Sequence, residues 1–468
     1  MKRIVFCFDG SWNALDSERP TNVVLVAESV EPFSTGGVAQ IIHYDDGVGT
    51  GGSDWKFTQV FDRWTGGLLG WGLLDNIREA YRFLIFNYEI GDEIFVFGFS
   101  RGAYTARSFV GLIRCASIPR RRDAQQITKA IEFYRNRKSG DFNHLDNLHK
   151  FRAEFVPDMI IDDAEDHWRA TNVEGHLQGR LPRLLVQYVG IWDTVGALGL
   201  PARLKRTAAR FNARHQFHDP ELPDFVINGR HAVALDERRG TFAPTLWDNL
   251  EQRLLERGVD PASPDAPLQE QWFPGTHGSV GGGGDVRGLS DGALGWIIEG
   301  ARAAGLELDT TSSSRVYELR PDYRAPLINY KAGPDKSSKL MSKRDRAGPT
   351  KIHHVHISAI RRWGTPAEQL PEQQPYRPAS LARVAAELGV LSERLKAPRA
   401  ASVMAHHTVE PGDTLRGLAL RYHGSADLAS NIFDANRHGL DDPNVLHVGT
   451  ILDIPEVGLL TKEHRGEV

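Results

Sequence analysis

The stretch Ile94–Arg107, with the sequence IFVFGFSRGAYTAR, decides the fold. Its apolar start, Ile94–Phe97, is typical of a parallel strand that is buried on both faces. Gly98 and Gly102 flank Ser100 and remove side chains where a strand and the helix after it must come close. A G-x-S-x-G pattern between strand and helix is typical of a nucleophile elbow, so Ser100 is the candidate nucleophile. The alternative is a tight strand-to-helix turn with a buried serine cap.

Composition limits the class of protein. The 468 residues are 41% hydrophobic and 25% charged, which indicates a globular chain with more than one domain. A net charge of −4 argues against a nucleic-acid partner. Two cysteines, Cys7 and Cys115, give no disulfide framework. We find neither a signal-peptide pattern nor an apolar run of about 18 residues, and therefore expect a protein made in the cytoplasm without a signal peptide.

Alternating strand and helix patterns predict the fold class. Apolar runs at Ile4–Phe8 and Leu184–Trp192 predict further buried strands, and helical spacing between Leu73 and Tyr88 predicts a helix before the Ser100 strand. We therefore expect an α/β fold, with an α/β-hydrolase-like, mainly parallel sheet flanked by helices. Active sites in such sheets lie beyond the carboxyl ends of the strands. Four polar residues follow predicted strand ends: Asp9, Ser100, Asp193 and His277.

A serine nucleophile needs a base that takes its proton and an acid that orients the base. His277 lies in the glycine-rich loop Gly275–Gly282, and Asp193 follows a long apolar strand. The chain order Ser100, Asp193, His277 is that of the α/β-hydrolases, so we predict these three as the catalytic triad.

The oxyanion of such a reaction needs backbone N–H donors. We predict that one comes from Arg101, directly after the nucleophile, and the other from Gly10 or Ser11. The alternative for Asp9–Ser11 is an Asx turn that only ends the strand. No His, Cys and carboxylate spacing typical of a metal site is present, so we expect neither a metal nor another cofactor.

Residues 1–380 contain seven motifs: Phe8–Asn13, Thr21–Val23, Gly47–Thr50, Gly98–Tyr104, Trp192–Gly196, Ala234–Arg239 and Trp272–His277. Through these motifs, residues 1–380 resemble the α/β-hydrolase-domain family that includes phospholipase effectors of type VI secretion. The resemblance implies a Ser-Asp-His hydrolase acting on a phospholipid or another ester, with secretion-machine and immunity proteins as partners and delivery to the target-cell periplasm. The family usually has an aspartate two residues after the histidine, where this chain has Ser279; Asp285 and Asp291 are nearby substitutes.

Residues 406–456 contain four motifs in an order that predicts strand, helix, helix and strand: Thr408–Leu415, Tyr422–Gly424, Ile432–Asn436 and Leu452–Pro455. Through these motifs the segment shows a resemblance to a LysM module. It implies binding of peptidoglycan or a related glycan. The residues that it implies for the glycan groove are Gly412, Asp413, Thr414, Leu415, Pro443, Asn444 and Leu446.

These patterns divide the chain into a catalytic domain at 1–380, a linker at 381–405 and the LysM domain at 406–456. Residues 310–350, rich in Ser, Lys and Gly, are expected to form a long surface loop. The expected function is that of a serine esterase or lipase, of the phospholipase type, acting as an antibacterial effector. The alternatives are a weak or inactive hydrolase fold that serves as a cell-wall-binding or docking protein, and a cytoplasmic housekeeping esterase.

Overall fold

The computed structural model describes most of the chain, with gaps. No helix in the described part is long and apolar enough to cross a lipid bilayer. The described residues are 1–10, 18–47, 69–136, 142–196, 221–240, 242–309, 314–316, 319–329, 343–396, 403–410, 412–436, 440, 446 and 448–455.

A parallel sheet of six strands forms the centre of the catalytic domain, in the order β2-β1-β3-β4-β5-β6. All neighbouring pairs are parallel, so every carboxyl end points to the same edge. This confirms the predicted α/β class. The strands are β1 Arg3–Phe8, β2 Gln40–Asp45, β3 Glu93–Phe99, β4 Val186–Trp192, β5 Val226–Ala234 and β6 Leu268–Phe273.

Helices cover both faces of the sheet. On β1, Phe6 and Phe8 pack in one core, with helices that include residues 69–87 and 101–116. Val5 and Cys7 pack in the opposite core, with helices that include residues 22–29 and 288–303. This alternation follows from the two-residue period of a strand. The helices are α1 Asn22–Ser29, α2 Leu69–Asn87, α3 Arg101–Ala116, α4 Ile127–Arg135, α5 Phe142–Phe155, α6 Asp163–Asn172, α7 Leu250–Glu256, α8 His277–Gly281 and α9 Gly288–Ala303.

A third apolar core lies beside β5 and β6. It includes helices α10, Ile357–Gly364, and α11, Ala385–Lys396. Leu381, Val384 and Leu388 are buried in the same core as Trp272. The structure therefore differs from the expected linker at 381–405, because an apolar stripe at helical spacing finds a partner surface on the catalytic domain.

The C-terminal unit has the predicted βααβ order. Strands β7, Val403–Thr408, and β8, Ile451–Pro455, pair antiparallel, and helices α12, Leu415–His423, and α13, Ala429–Ala435, pack on them. Polar contacts join this unit to the catalytic domain. Arg361 on α10 donates to Asn431 Oδ1 at 2.9 Å, and Arg416 on α12 donates to the carbonyl of Leu319 at 2.7 Å.

Candidate active site

Ser100 occupies the sharp turn between β3 and α3. Its backbone has φ 60° and ψ −120°, a conformation that costs free energy for a residue with a Cβ. The turn is held in place because the Ser100 N–H donates to the carbonyl of Trp192 at 3.0 Å. Ser100 therefore has the strained geometry expected of a nucleophile elbow.

The two glycines beside Ser100 allow a close approach of three backbones. A Cβ on Gly98 would lie 2.6 Å from the Gly102 carbonyl oxygen, and a Cβ on Gly102 would lie 2.1 Å from the Phe8 carbonyl oxygen. Both distances are too short for carbon and oxygen. The position of α3 against β1 and β3, and so that of Ser100, requires glycine at both sites.

We expect Gly102→Ala to reduce any catalysis that depends on Ser100 about 100-fold or more, because a shift of about 1 Å in a reacting group has this effect. The methyl group would also destabilise the fold, since overpacking usually costs about 1–3 kcal/mol. Gly292→Ala is a matched control on α9, because its Cβ would meet only Pro321 Cβ, at 3.9 Å. Initial rates and thermal unfolding of both variants test this; wild-type rates in Gly102→Ala would contradict it.

The structure brings Ser100, His277 and Asp193 together from three separate strand ends. His277 Nε2 lies 2.7 Å from Ser100 Oγ, and His277 Nδ1 lies 2.5 Å from Asp193 Oδ2. The imidazole also packs on the rings of Phe99 and Phe242, with centroid distances of 4.7 and 5.0 Å. A neutral His277 that donates from Nδ1 to Asp193 can accept the Ser100 proton on Nε2.

Arg346 holds Asp193, a contact that no sequence pattern indicated. Its guanidinium forms a bidentate pair with Asp193, at 2.5 Å to Oδ1 and 2.9 Å to Oδ2. It also donates to the carbonyls of Ala234 and Phe242. The Ala234 N–H donates to Asp193 Oδ1 at 2.9 Å. Arg346 is buried, contrary to the surface loop expected for residues 310–350, because a buried carboxylate needs a charged partner.

Charges around the site favour an anionic Asp193 and a neutral His277. Burial raises the pKa of Asp193, but the Arg346 guanidinium and then His277 outweigh it, and the net pKa lies well below the usual value. For His277, burial lowers the pKa below 6.5, although Asp193 opposes this effect. At neutral pH the imidazole is therefore a free base.

The loop that carries His277 is fixed by two carboxylates from the segment after β5. Asp236 accepts the N–H of Gly275 at 2.7 Å, and Glu237 accepts the N–H of His277 at 3.3 Å. Ser279 is buried and donates to the Leu327 carbonyl at 2.7 Å. These contacts orient the loop that carries His277. The family usually has an aspartate in this loop, at the position of Ser279.

The two acidic residues that could replace the family aspartate at position 279, Asp285 and Asp291, bind other groups. Asp285 pairs with Arg19 at 2.8 Å, and Asp291 pairs with Arg287 and accepts the N–H of Arg320. Orientation of the loop therefore comes from Asp236 and Glu237, whose side chains reach the loop backbone. Their motif, ALDERR, was visible in the sequence, but their partners were not.

The oxyanion candidates have different positions. Arg101 is the first residue of α3, and the N–H groups of a first helical turn have no acceptor within the helix. The Gly10 N–H donates to Asp9 Oδ1 at 2.6 Å, so the side chain of the preceding residue accepts it. An Asx turn would instead need the N–H of Ser11. Ser11 lies outside the described residues.

Several of the residues that the LysM resemblance implies for the glycan groove form contacts within the LysM unit itself. Asp413 accepts from His407 Nε2 and from the Glu410 N–H, each at 2.7 Å, and Thr414 caps α12 by accepting the Gly417 N–H. Leu415 is buried in the small core, against which the half-buried Leu446 packs. Gly412 is exposed at φ 93°. Pro443 and Asn444 lie outside the described residues.

The parallel sheet with its elbow at the end of β3 defines an α/β hydrolase fold. Residues 2–300 match the family described as "T6SS, Phospholipase effector Tle1-like, catalytic domain", and the chain belongs to that family. Residues 407–455 match the LysM domain. Both resemblances that the sequence motifs predicted are thereby confirmed.

Two curated proteins are similar to parts of the chain. An uncharacterized protein of Saccharomyces cerevisiae is 27% identical over 250 residues, which are 52% of this chain and 32% of the yeast protein. The potassium binding protein Kbp of Escherichia coli is 33% identical over 66 residues, which are 14% of this chain and 44% of that protein. The chain therefore spans less than half the length of either relative.

Two solved structures are also similar. The Tle1 effector bound to the VgrG spike of the type 6 secretion system has 14% identity and a TM-score of 0.37, over 69% of this chain and 77% of that one. An uncharacterized protein from Pseudomonas aeruginosa has 16% identity and a TM-score of 0.34, over 83% of this chain and 62% of that one.

Proposed function

We propose that the chain is a serine lipase of the phospholipase type, with Ser100 as nucleophile, His277 as base and Asp193 as the orienting acid. The observation that carries this proposal is the continuous hydrogen-bond chain Ser100–His277–Asp193, at 2.7 and 2.5 Å. The strained backbone of Ser100 and the low pKa of His277 support it, because each suits a nucleophile and its base. Membership of the phospholipase effector family supports an ester of a lipid as substrate.

In this mechanism Ser100 Oγ attacks the ester carbonyl carbon while His277 Nε2 takes the hydroxyl proton. The negative charge moves to the carbonyl oxygen, where the N–H of Arg101 donates to it. The C–O bond to the leaving alcohol then breaks, and His277 returns the proton to that oxygen. Water, activated by His277, hydrolyses the acyl-enzyme and releases the fatty acid and Ser100.

The cellular role that we propose is that of an antibacterial effector, delivered by a secretion machine to the periplasm of a neighbouring cell. The LysM unit would hold the enzyme on peptidoglycan close to the membrane and so raise its local concentration there. An immunity protein in the producing cell is the expected counterpart of such a toxin.

Expression in a test bacterium should separate these roles. We expect the chain directed to the periplasm by an added signal sequence to stop growth, and the same chain kept in the cytoplasm to be much less toxic. Ser100→Ala in the periplasm should permit growth, since it lacks the nucleophile. Colony counts with immunoblots check this; equal growth of all three strains, with the protein present, would favour a housekeeping esterase.

The LysM unit should bind the wall without being needed for catalysis. We expect the full chain to sediment with purified peptidoglycan and a chain ending at Lys396 to stay in solution. Both should hydrolyse a soluble short-chain ester at similar rates, because Ser100, His277 and Asp193 lie in the retained part. Sedimentation of both chains, or of neither, would contradict glycan binding by the LysM unit.

A further inference from the structure

A second group of chemically active side chains is formed by Glu251, His353 and His354. Glu251 lies in the first turn of α7, and the two histidines form the short 3₁₀ turn Ile352–His354 that precedes α10. Each offers a ligand atom, and these atoms lie within 4.8 Å of one another. No sequence spacing indicated this group, because about 100 residues separate Glu251 from its partners.

The distances between these atoms fit a tetrahedral metal ion. Glu251 Oε1 lies 3.4 Å from His353 Nε2 and 3.2 Å from His354 Nε2. Zinc bonds to nitrogen and oxygen of about 2.0–2.1 Å, at tetrahedral angles, separate two ligand atoms by about 3.3 Å. One ion can therefore touch the shared oxygen and either imidazole at these distances. The ligand atoms of the two histidines lie within 4.8 Å of each other, so both can close on the same ion.

The hydrogen bonds of the histidines leave the right atoms for a cation. His354 Nδ1 lies 2.8 Å from the carbonyl oxygen of Glu270, which can only accept, so Nδ1 carries the proton. Nε2 lies 3.2 Å from Glu251 Oε1, so either a second ring proton or a metal cation lies between these two atoms. His353 Nε2 is buried and has no hydrogen-bond partner of good geometry. A cation between the three atoms satisfies all of them, and the Glu270 carbonyl orients the ligand from outside.

Lys351 binds the other oxygen of the same carboxylate. Its ammonium group lies 2.5 Å from Glu251 Oε2, whereas both imidazoles face Oε1. A metal ion on Oε1 and the lysine on Oε2 can therefore be bound together. The lysine charge opposes the ion, so its removal should strengthen metal binding.

We propose that Glu251, His353 and His354 form a binding site for a divalent transition-metal ion of the zinc type, with water as fourth ligand. Two imidazoles select zinc over magnesium or calcium, which prefer oxygen ligands. The ion would fasten the segment 343–356 to α7. That segment also carries Arg346, which holds Asp193. The metal ion would therefore stabilise the position of Arg346, and through it that of Asp193, although the ion itself lies outside the proposed triad.

The full chain, stripped of metal with a chelator and dialysed, tests the proposal by calorimetric titration with Zn²⁺, Mg²⁺ and Ca²⁺. We expect one Zn²⁺ per chain to bind at this site and the other two ions not to bind. At 100 times the Kd, zinc should raise the unfolding temperature by about 3 °C. No stoichiometric zinc, or equal binding of calcium, would overturn the proposal.

Variants locate the ion. His353→Gln and His354→Gln should each weaken zinc binding by about 10–100-fold or more, the loss seen even for outer-shell partners. His167→Gln, at an exposed position on α6, is the matched control and should bind zinc as the wild type does. Lys351→Met keeps all three ligands and should bind zinc severalfold more tightly. Undiminished binding by both glutamine variants, or no gain in Lys351→Met, would overturn the site.

Discussion

Ser100→Ala is expected to lower kcat for ester hydrolysis by about 10⁴-fold or more, with little change in the unfolding temperature. The reason is geometric: Ser100 Oγ is the atom that faces His277 Nε2, at 2.7 Å, at the end of β3. Alanine keeps the Cβ and the backbone of the turn. Burst and steady-state kinetics with a p-nitrophenyl ester, followed by purified phospholipid, measure the loss.

Matched controls separate the triad from the fold around it. Ser108→Ala removes another buried hydroxyl from α3 and should leave kcat near the wild-type value. His277→Ala should match the loss in Ser100→Ala. Asp193→Asn should lose about 10⁴-fold, while Asp285→Asn, whose side chain pairs with Arg19, should lose little. A crippled Asp285→Asn beside an active Asp193→Asn would show that we have assigned the wrong acid.

The parts that the sequence predicted well depend on neighbours along the chain. The strand, the glycines and the helix around Ser100 lie within a few residues of one another, so a local pattern contains most of the information. That Asp193 and His277 lie close to Ser100 was predictable, because each follows a predicted strand and the carboxyl ends of parallel strands meet at one edge. The LysM order was predictable for a similar reason, since its helices follow one another with clear apolar spacing.

The parts that the sequence did not predict depend on partners that are distant in the chain. Leu381, Val384 and Leu388 have a helical stripe, but only the fold shows that they share a core with Trp272 on β6. The Gly10 N–H was available in principle as an oxyanion donor, yet the side chain of Asp9 accepts it. Such competition between a side chain and its own backbone leaves no periodic signal.

Arg346 shows this limit most clearly. It lies 153 residues after Asp193, in a segment whose Ser, Lys and Gly content is typical of a surface loop. A single arginine there has no spacing that links it to a strand end. Only the buried carboxylate at Asp193, which requires a partner, explains why this arginine is buried.

We therefore expect Arg346→Met to have the second large effect. Loss of one partner of a buried ion pair usually costs about 3–5 kcal/mol, so chemical denaturation should show a large loss of stability.

The pH dependence of kcat/KM should also change in Arg346→Met. Its acid limb, the low-pH range in which His277 becomes protonated, should move. In the wild type we expect this limb at low pH, because burial lowers the pKa of His277 from its usual value. Removal of a nearby positive charge favours the imidazolium, so the limb should shift to higher pH.

Two further variants distinguish positioning from mere stability. Arg346→Lys keeps the charge but loses the planar, bidentate contact, so it should restore the acid limb towards lower pH without restoring kcat in full. Arg344→Met, two residues away and exposed, should change neither property. If Arg346→Met is less stable but keeps the wild-type pH profile and kcat, Arg346 only supports the fold. A shifted acid limb that lysine partly restores would instead mean that Arg346 sets the orientation and charge of Asp193. The basicity of His277 would then depend, through Asp193, on a residue that no catalytic motif contains.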